Sequence, residues 1–66
     1  MSGIDKEMLG RERRRFGMTR KQLAAESRLP LRTVIRIEKS GEASSVEVSA
    51  LADALGVLPS DLLRRR

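Results

Sequence analysis

Cysteine, histidine, tryptophan and tyrosine are all absent from this sequence, and Phe16 is its only aromatic residue. Without cysteine there is no disulfide and no thiolate metal site to staple a small fold, and the composition suits a reducing cytosol. Without histidine the commonest general base and the commonest nitrogen ligand for metals are missing. The carboxylates are scattered singly along the chain, so no nucleophile–base arrangement is visible and an enzyme is not expected. No cofactor or metal is implied. A lone aromatic ring offers little for stacking on unpaired bases or anchoring at a lipid interface, which disfavours an RNA-binding or membrane-acting peptide. No apolar run approaches the roughly 20 residues of a membrane span. The N-terminal MSGIDKEMLG lacks the basic-then-apolar layout of a secretion signal. The expectation is a cytoplasmic protein.

What is abundant is positive charge, unevenly placed. The 66 residues carry a formal net charge of +5. Residues 11–39 hold ten basic groups against three acidic ones, a local +7, whereas residues 40–63 hold four acidic groups and no basic one. Arg64 to Arg66 then form a short basic tail. A solvated surface can be charged this heavily for no reason beyond solubility. A one-sided positive field, however, suits a polyanion. The length makes residues 1–66 one domain, and a domain this small buries only about 60% of the surface of its unfolded chain, so its stability margin is thin.

The punctuation is that of short helices, since no stretch alternates with period two. A first helix is predicted over about Ile4 to Phe16, started by Ser2 and Asp5, with Leu9, Arg13 and Phe16 on one face. Gly10 inside it costs about 1 kcal/mol against alanine, and Gly17 ends it. Thr19 with Gln22 forms a capping box for a second helix that ends near Ser27. Arg28 and Leu29 connect it to a third, whose first turn accepts Pro30 and which Gly41 ends. Ser44 with Glu47 caps a fourth helix reaching Leu55, with Val48, Leu51, Ala52 and Leu55 on one face and Gly56 after it. Pro59 opens a last short helix. The expected core is Leu9, Phe16, Met18, Leu23, Ala24, Leu29, Val34, Ile37, Val48, Leu51, Leu55, Val57, Leu62 and Leu63. Helices joined by loops this short make an all-α domain.

The third helix carries the functional signal. At 100° per residue Val34 and Ile37 point to the core with Glu38 beside them, while Arg32, Arg36 and Lys39 point away, with Ile35 at their edge and Thr33 and Ser40 on the other flank. No acidic residue is expected within reach on that outer face, so Arg32 and Arg36 are expected to repel one another slightly. Two short helices with a tight connection and a basic outer face on the second form a helix-turn-helix pattern, in which the second helix lies in the DNA major groove.

The run GMTRKQLAAESRLPLRTVIRIEKSG resembles the helix-turn-helix of the lambdoid phage repressor and Cro family, also called the XRE family. LADALGVLPSDLL is similar to that family's fourth helix, turn and fifth helix, so the likeness covers about residues 4–63. The resemblance implies a five-helix, all-α, lambda-repressor-like DNA-binding domain. It implies that Arg13 of the first helix pairs with Glu38 near the end of the third; a glutamate on the packed face would otherwise be a buried unpaired charge. It implies base reading by Leu31, Arg32 and Arg36, where arginine grips guanine at O6 and N7. Phosphate contacts are expected from Thr19, Arg20 and Lys21 at the start of the second helix, with Arg20 meeting either the backbone or an outer base, and from Thr33, Lys39 and Ser40, together with the backbone of residues 41–43. Arg14 and Arg15 are basic, but on a helix lying mostly away from the groove. A dimer surface is expected around Val57, Leu58, Leu62 and Leu63, although some of these leucines must be core. Two positions depart from the family. Arg28 stands where glycine is usual, so either it adopts positive φ or the turn differs locally. Pro30 stands where a hydroxyl cap is usual.

The function this implies is a sequence-specific regulator of transcription, a repressor that binds an inverted repeat in double-stranded DNA as a homodimer, cytoplasmic and nucleoid-associated when bound. A DNA-binding antitoxin, or another regulator that also binds a protein partner, would use the same fold. The composition suits a bacterial or phage source.

Overall fold

Residues 3–63 are described by the computed structural model, so Ser2 of the expected start signal and the Arg64–Arg66 tail lie outside the described residues. Five helices follow in order: α1 (Lys6–Arg15), α2 (Arg20–Ser27), α3 (Leu31–Ser40), α4 (Ser45–Leu55) and α5 (Pro59–Leu62). The protein is all-helical, with no strand among the described residues. α1 packs on α3 and α5, α2 packs on α3 and α4, and α4 supports α5.

Each helix starts and stops for a local reason. Thr19 Oγ1 accepts from Gln22 N at 3.0 Å while Gln22 Oε1 accepts from Thr19 N at 2.8 Å. Ser44 and Glu47 repeat the reciprocal cap on α4, at 3.1 and 2.9 Å. Such caps satisfy donors that would otherwise be orphaned at a helix start. Asp61 caps α5 by accepting from Leu58 N at 3.0 Å. α1 starts two residues later than expected. Asp5 is its N-cap, accepting from Glu7 N and Met8 N, and Ile4 lies outside the helix. Pro30 is likewise the N-cap of α3, not a residue of its first turn, and it supplies no side-chain hydrogen bond.

Ile4 is displaced from the helix because its backbone is tied elsewhere. Its N–H donates to the Gly41 carbonyl at 2.7 Å, and Asp5 N donates to the Leu62 carbonyl at 2.8 Å. The lead-in thus bridges the α3–α4 loop and α5, and the Ile4 side chain is fully buried. The core joins Ile4 to Leu9, Leu23, Ala24, Val34, Ile37, Ala43, Val48, Leu51, Ala52, Leu55 and Leu62. Met18, Leu29 and Val57 pack against it half-buried.

Two expected core residues are outside it. Phe16 is 50% exposed and Leu63 is 37% exposed. Both follow a helix's last residue, where projection along the helix no longer says where a side chain points. The chain turns at Phe16 and Gly17, and Met18 is the residue brought to the core instead. Leu62 is corrected in the other sense: it is fully buried, so it cannot be part of a free dimer surface.

The turn between α2 and α3 resolves the departure at Arg28. Its φ and ψ are 62° and 30°, the left-handed region, and it is the only described non-glycine residue with positive φ. The reversal lets Leu29 N reach the Ala24 carbonyl at 3.0 Å, closing the end of α2. A side chain with a Cβ is strained there by about 1 kcal/mol. Arg28→Gly is therefore expected to raise the urea midpoint by an amount equivalent to up to about 1 kcal/mol, and Arg28→Val to lower it, because a β-branched residue tolerates positive φ worst. Equal midpoints for all three chains would show that the turn carries no such strain.

Candidate nucleic-acid interface

One carboxylate ties three helices together. Glu38, in the last turn of α3, accepts from Arg13 Nε of α1 at 2.7 Å through Oε2 and from Arg20 Nε of α2 at 3.0 Å through Oε1. The Arg13 and Glu38 side chains are about nine-tenths buried, whereas Arg20 is 55% exposed. Arg13 also donates through Nη1 to the Met18 carbonyl at 2.9 Å, which holds the loop entering α2. Both oxygens of the buried carboxylate are thus satisfied by charge-assisted hydrogen bonds, and the start of α2 is fixed against the end of α3.

That clamp determines what α2 presents. Arg20 and Lys21 occupy the first turn, which contains no acidic residue, so their charges add to the positive end of the helix dipole. The Thr19 hydroxyl accepts from Gln22 and keeps its own proton available to donate outward. Lys21 is exposed and makes no ion pair among the described residues.

α3 turns Val34 and Ile37 inward and leaves Leu31, Arg32, Ile35, Arg36 and Lys39 exposed, so they form one outer face. Leu31 is 41% and Ile35 37% exposed, two apolar side chains a turn apart beside the cations. Arg32 has no ion-pair partner among the described residues. Arg36 does have one, so the expected uncompensated repulsion is corrected. Its Nη2 lies 3.2 Å from Glu47 Oε2 and 3.3 Å from Oε1, and its Nη1 donates to the Glu42 carbonyl at 3.1 Å. The acidic partner comes from α4, where no reading of α3 alone would find it. The Arg36 side chain remains half exposed, with its Nε–H uncommitted.

Glu47 is held by two groups at once. The Ser44 backbone N–H donates to it and Arg36 adjoins it, and these outweigh the opposing effect of burial, so its carboxyl titrates below the ordinary value of 4.5. Ser40 is engaged within its own turn, donating to the Arg36 carbonyl at 2.9 Å and accepting from Glu42 N at 3.1 Å. Thr33 is half-buried on the flank. Lys39 is exposed, and its carbonyl accepts from Lys6 Nζ at 3.2 Å.

The structure therefore brings Thr19, Arg20, Lys21, Leu31, Arg32, Arg36 and Lys39 onto exposed positions of α2, its cap and α3. Val57, Leu58 and Leu63 lie apart from these, around α5. There Leu58 is 66% exposed and Val57 half-buried. Sequence reasoning missed Glu47 and the Glu42 carbonyl as holders of Arg36, and Arg20 as a second partner of Glu38. The Ser44–Glu47 cap is visible in the residues, but not that its glutamate also faces α3.

A family model described as helix-turn-helix matches residues 9–62, which takes in α2, α3 and α4 entirely. No curated protein matches the chain.

Two outcomes follow from these ion pairs. Removing Arg13 leaves Glu38 mostly buried with one exposed partner, so Arg13→Met is expected to cost about 3 kcal/mol. Combining it with Glu38→Leu should cost less than the sum of the single changes, and additive urea-denaturation energies would show the pair to be uncoupled. For Glu47, a carboxyl with a folded pKa below its unfolded one adds stability above the unfolded value and loses it as pH falls through the folded one. The stability advantage of the wild type over Glu47→Gln should therefore be full above pH 4.5 and shrink below it. An advantage that stays constant through acid would exclude the effect.

Proposed function

The chain belongs to the XRE-type helix-turn-helix family, which makes it a DNA-binding regulator, and from that premise we propose that it is a repressor binding an inverted-repeat operator as a homodimer. The observation that carries the reading is the outer face of α3, which combines exposed cations and exposed apolar side chains while its opposite face is locked into the core. A helix so arranged fits the major groove, where cations meet guanine edges and apolar groups meet thymine methyls.

Leu31, Arg32 and Arg36 are the base readers in this proposal. Arg32 is the freest of them. Arg36 reads in an orientation held by Glu47 and the Glu42 carbonyl, with its remaining donors. Thr19, Arg20, Lys21, Thr33, Lys39 and Ser40 approach the phosphates that position the domain, for which the exposed start of α2 is the best-prepared feature. The described residues extend 29 Å in their longest direction, less than the roughly 34 Å of one DNA turn. One copy therefore covers one half-site, and pairing through the exposed Leu58, with Val57 and Leu63 beside it, doubles the interface with DNA. Repression needs only occupancy of the site, whereas activation needs a further surface that touches the transcription machinery.

Selection of binding sites by the full chain from a random duplex library at physiological salt tests the reading. The expected result is an inverted repeat with half-sites about 10 base pairs apart. Arg32→Ala should then relax preference at one position per half-site by about 1–3 kcal/mol without lowering folding stability. Arg36→Ala should both relax preference and lower stability, since it also removes the tie to α4. Enrichment of single half-sites would remove the homodimer, and no enrichment at all would remove sequence-specific DNA binding.

A further inference from the structure

α1 carries its cations on two different faces, and the faces are not alike. On one, Lys6, Arg11 and Arg14 border an open groove of about 450 Å³ that runs to Arg20 at the start of α2. Two carboxylates also line it. Glu38 is already bound by Arg13 and Arg20, which leaves Glu7 as the only uncommitted negative group of the lining against Arg11, Arg14 and Lys6. On the other face, Arg15 borders a smaller groove of about 280 Å³ in company with Glu12 and Asp61, and Arg15 Nη1 lies 3.6 Å from Glu12 Oε1. The first groove is cationic, and the second is balanced by its own acids.

Gly10 connects the sequence to this asymmetry. A glycine inside an exposed helix costs stability relative to alanine, so its presence needs a cause. The Arg14 guanidinium folds back over it: a Cβ built on Gly10 would lie 3.1 Å from Arg14 Nη1. Arg14 thus lies along α1 over the glycine and lines the groove. At the groove's other border Lys6 Nζ is anchored on the Lys39 carbonyl, where α1 meets the end of α3. Both borders thus adjoin elements of the proposed DNA interface, α2 at Arg20 and α3 at Lys39.

We propose that this groove takes one further backbone phosphate of the DNA, at the outer edge of each half-site, gripped by Arg11 and Arg14 with Lys6 contributing charge. The inference rests on the DNA-binding reading above. Arginine forks suit phosphate oxygens, and an interaction of this kind adds affinity and salt dependence without adding sequence preference. It gives α1, a helix outside the helix-turn-helix, a direct part in binding.

The test uses the full chain on its selected duplex, with affinity measured across a range of salt concentrations. For each phosphate that the protein no longer neutralises, the slope of log K against log salt falls by about 0.9 in magnitude. The Arg11→Gln/Arg14→Gln double variant should show that decrease for each half-site, keep the wild-type base preferences, and no longer be weakened by ethylation of one phosphate flanking each half-site. Arg15→Gln, a charge change on the other face of the same helix, should leave slope and ethylation pattern as in the wild type. An unchanged slope in the double variant, or an equal decrease per charge from Arg15→Gln, would overturn the proposal and leave only a general effect of net charge. A wild-type chain that selects no duplex would overturn the DNA reading itself, and this inference with it.

Discussion

The buried carboxylate of Glu38 is the constraint on which the binding surface depends. Its side chain is about nine-tenths buried where α1, α2 and α3 meet, and it is tolerable there only because Arg13 and Arg20 take one oxygen each. Those arginines come from α1 and α2, so satisfying the charge sets the relative placement of three helices. An apolar residue at position 38 could fill the space, but it would not require the start of α2 and the end of α3 to meet at one point. The positioning is a product of directional, charge-assisted hydrogen bonds, with the Arg13 side of the clamp largely removed from water and the Arg20 side open to it.

A second clamp of similar design acts at the solvent side. Glu47 closes the capping box of α4 through Ser44 and at the same time holds the Arg36 guanidinium of α3. One side chain thus stabilises a helix start, connects two helices and orients an arginine of the outer face. Among the described residues this separates two kinds of cation. Arg13, Arg20 and Arg36 are committed to internal partners, while Arg32, Lys21 and Arg14 make no ion pair among the described residues. The first kind shapes the surface, with Arg20 and Arg36 still about half exposed, and the second has no internal ion-pair partner.

Short helices need such local devices because the domain is small. With about 60% of the unfolded chain's surface removed from water, apolar burial leaves little margin over conformational entropy. Reciprocal caps on α2 and α4, left-handed glycines after α3 and α4, and the lead-in at Ile4 that ties the α3–α4 loop to α5 all remove alternatives at the helix ends. Arg28 is the exception, a residue with a Cβ in a left-handed turn, held there by the geometry that α2 and α3 require.

Much of this was legible in the residues. Capping boxes at Thr19 and Ser44, glycines after Phe16, Ser40 and Leu55, and the apolar spacing within each helix are local signals. Hydrogen bonding and sterics act over three or four residues, so the sequence alone determined the number, order and inner faces of the helices. It also determined the concentration of positive charge on the first three helices. What only the tertiary structure decided are the relations between residues far apart in the chain. Arg36 meets Glu47 across a loop, Arg20 shares Glu38 with Arg13, Ile4 is core and Phe16 is surface, and Lys6, Gly10 and Arg14 line one groove with Arg20. Spacing along one helix fixes which side chains share a face. Which other helix that face meets depends on how all five pack, and with it depends which charges are neutralised inside the molecule and which remain for a partner.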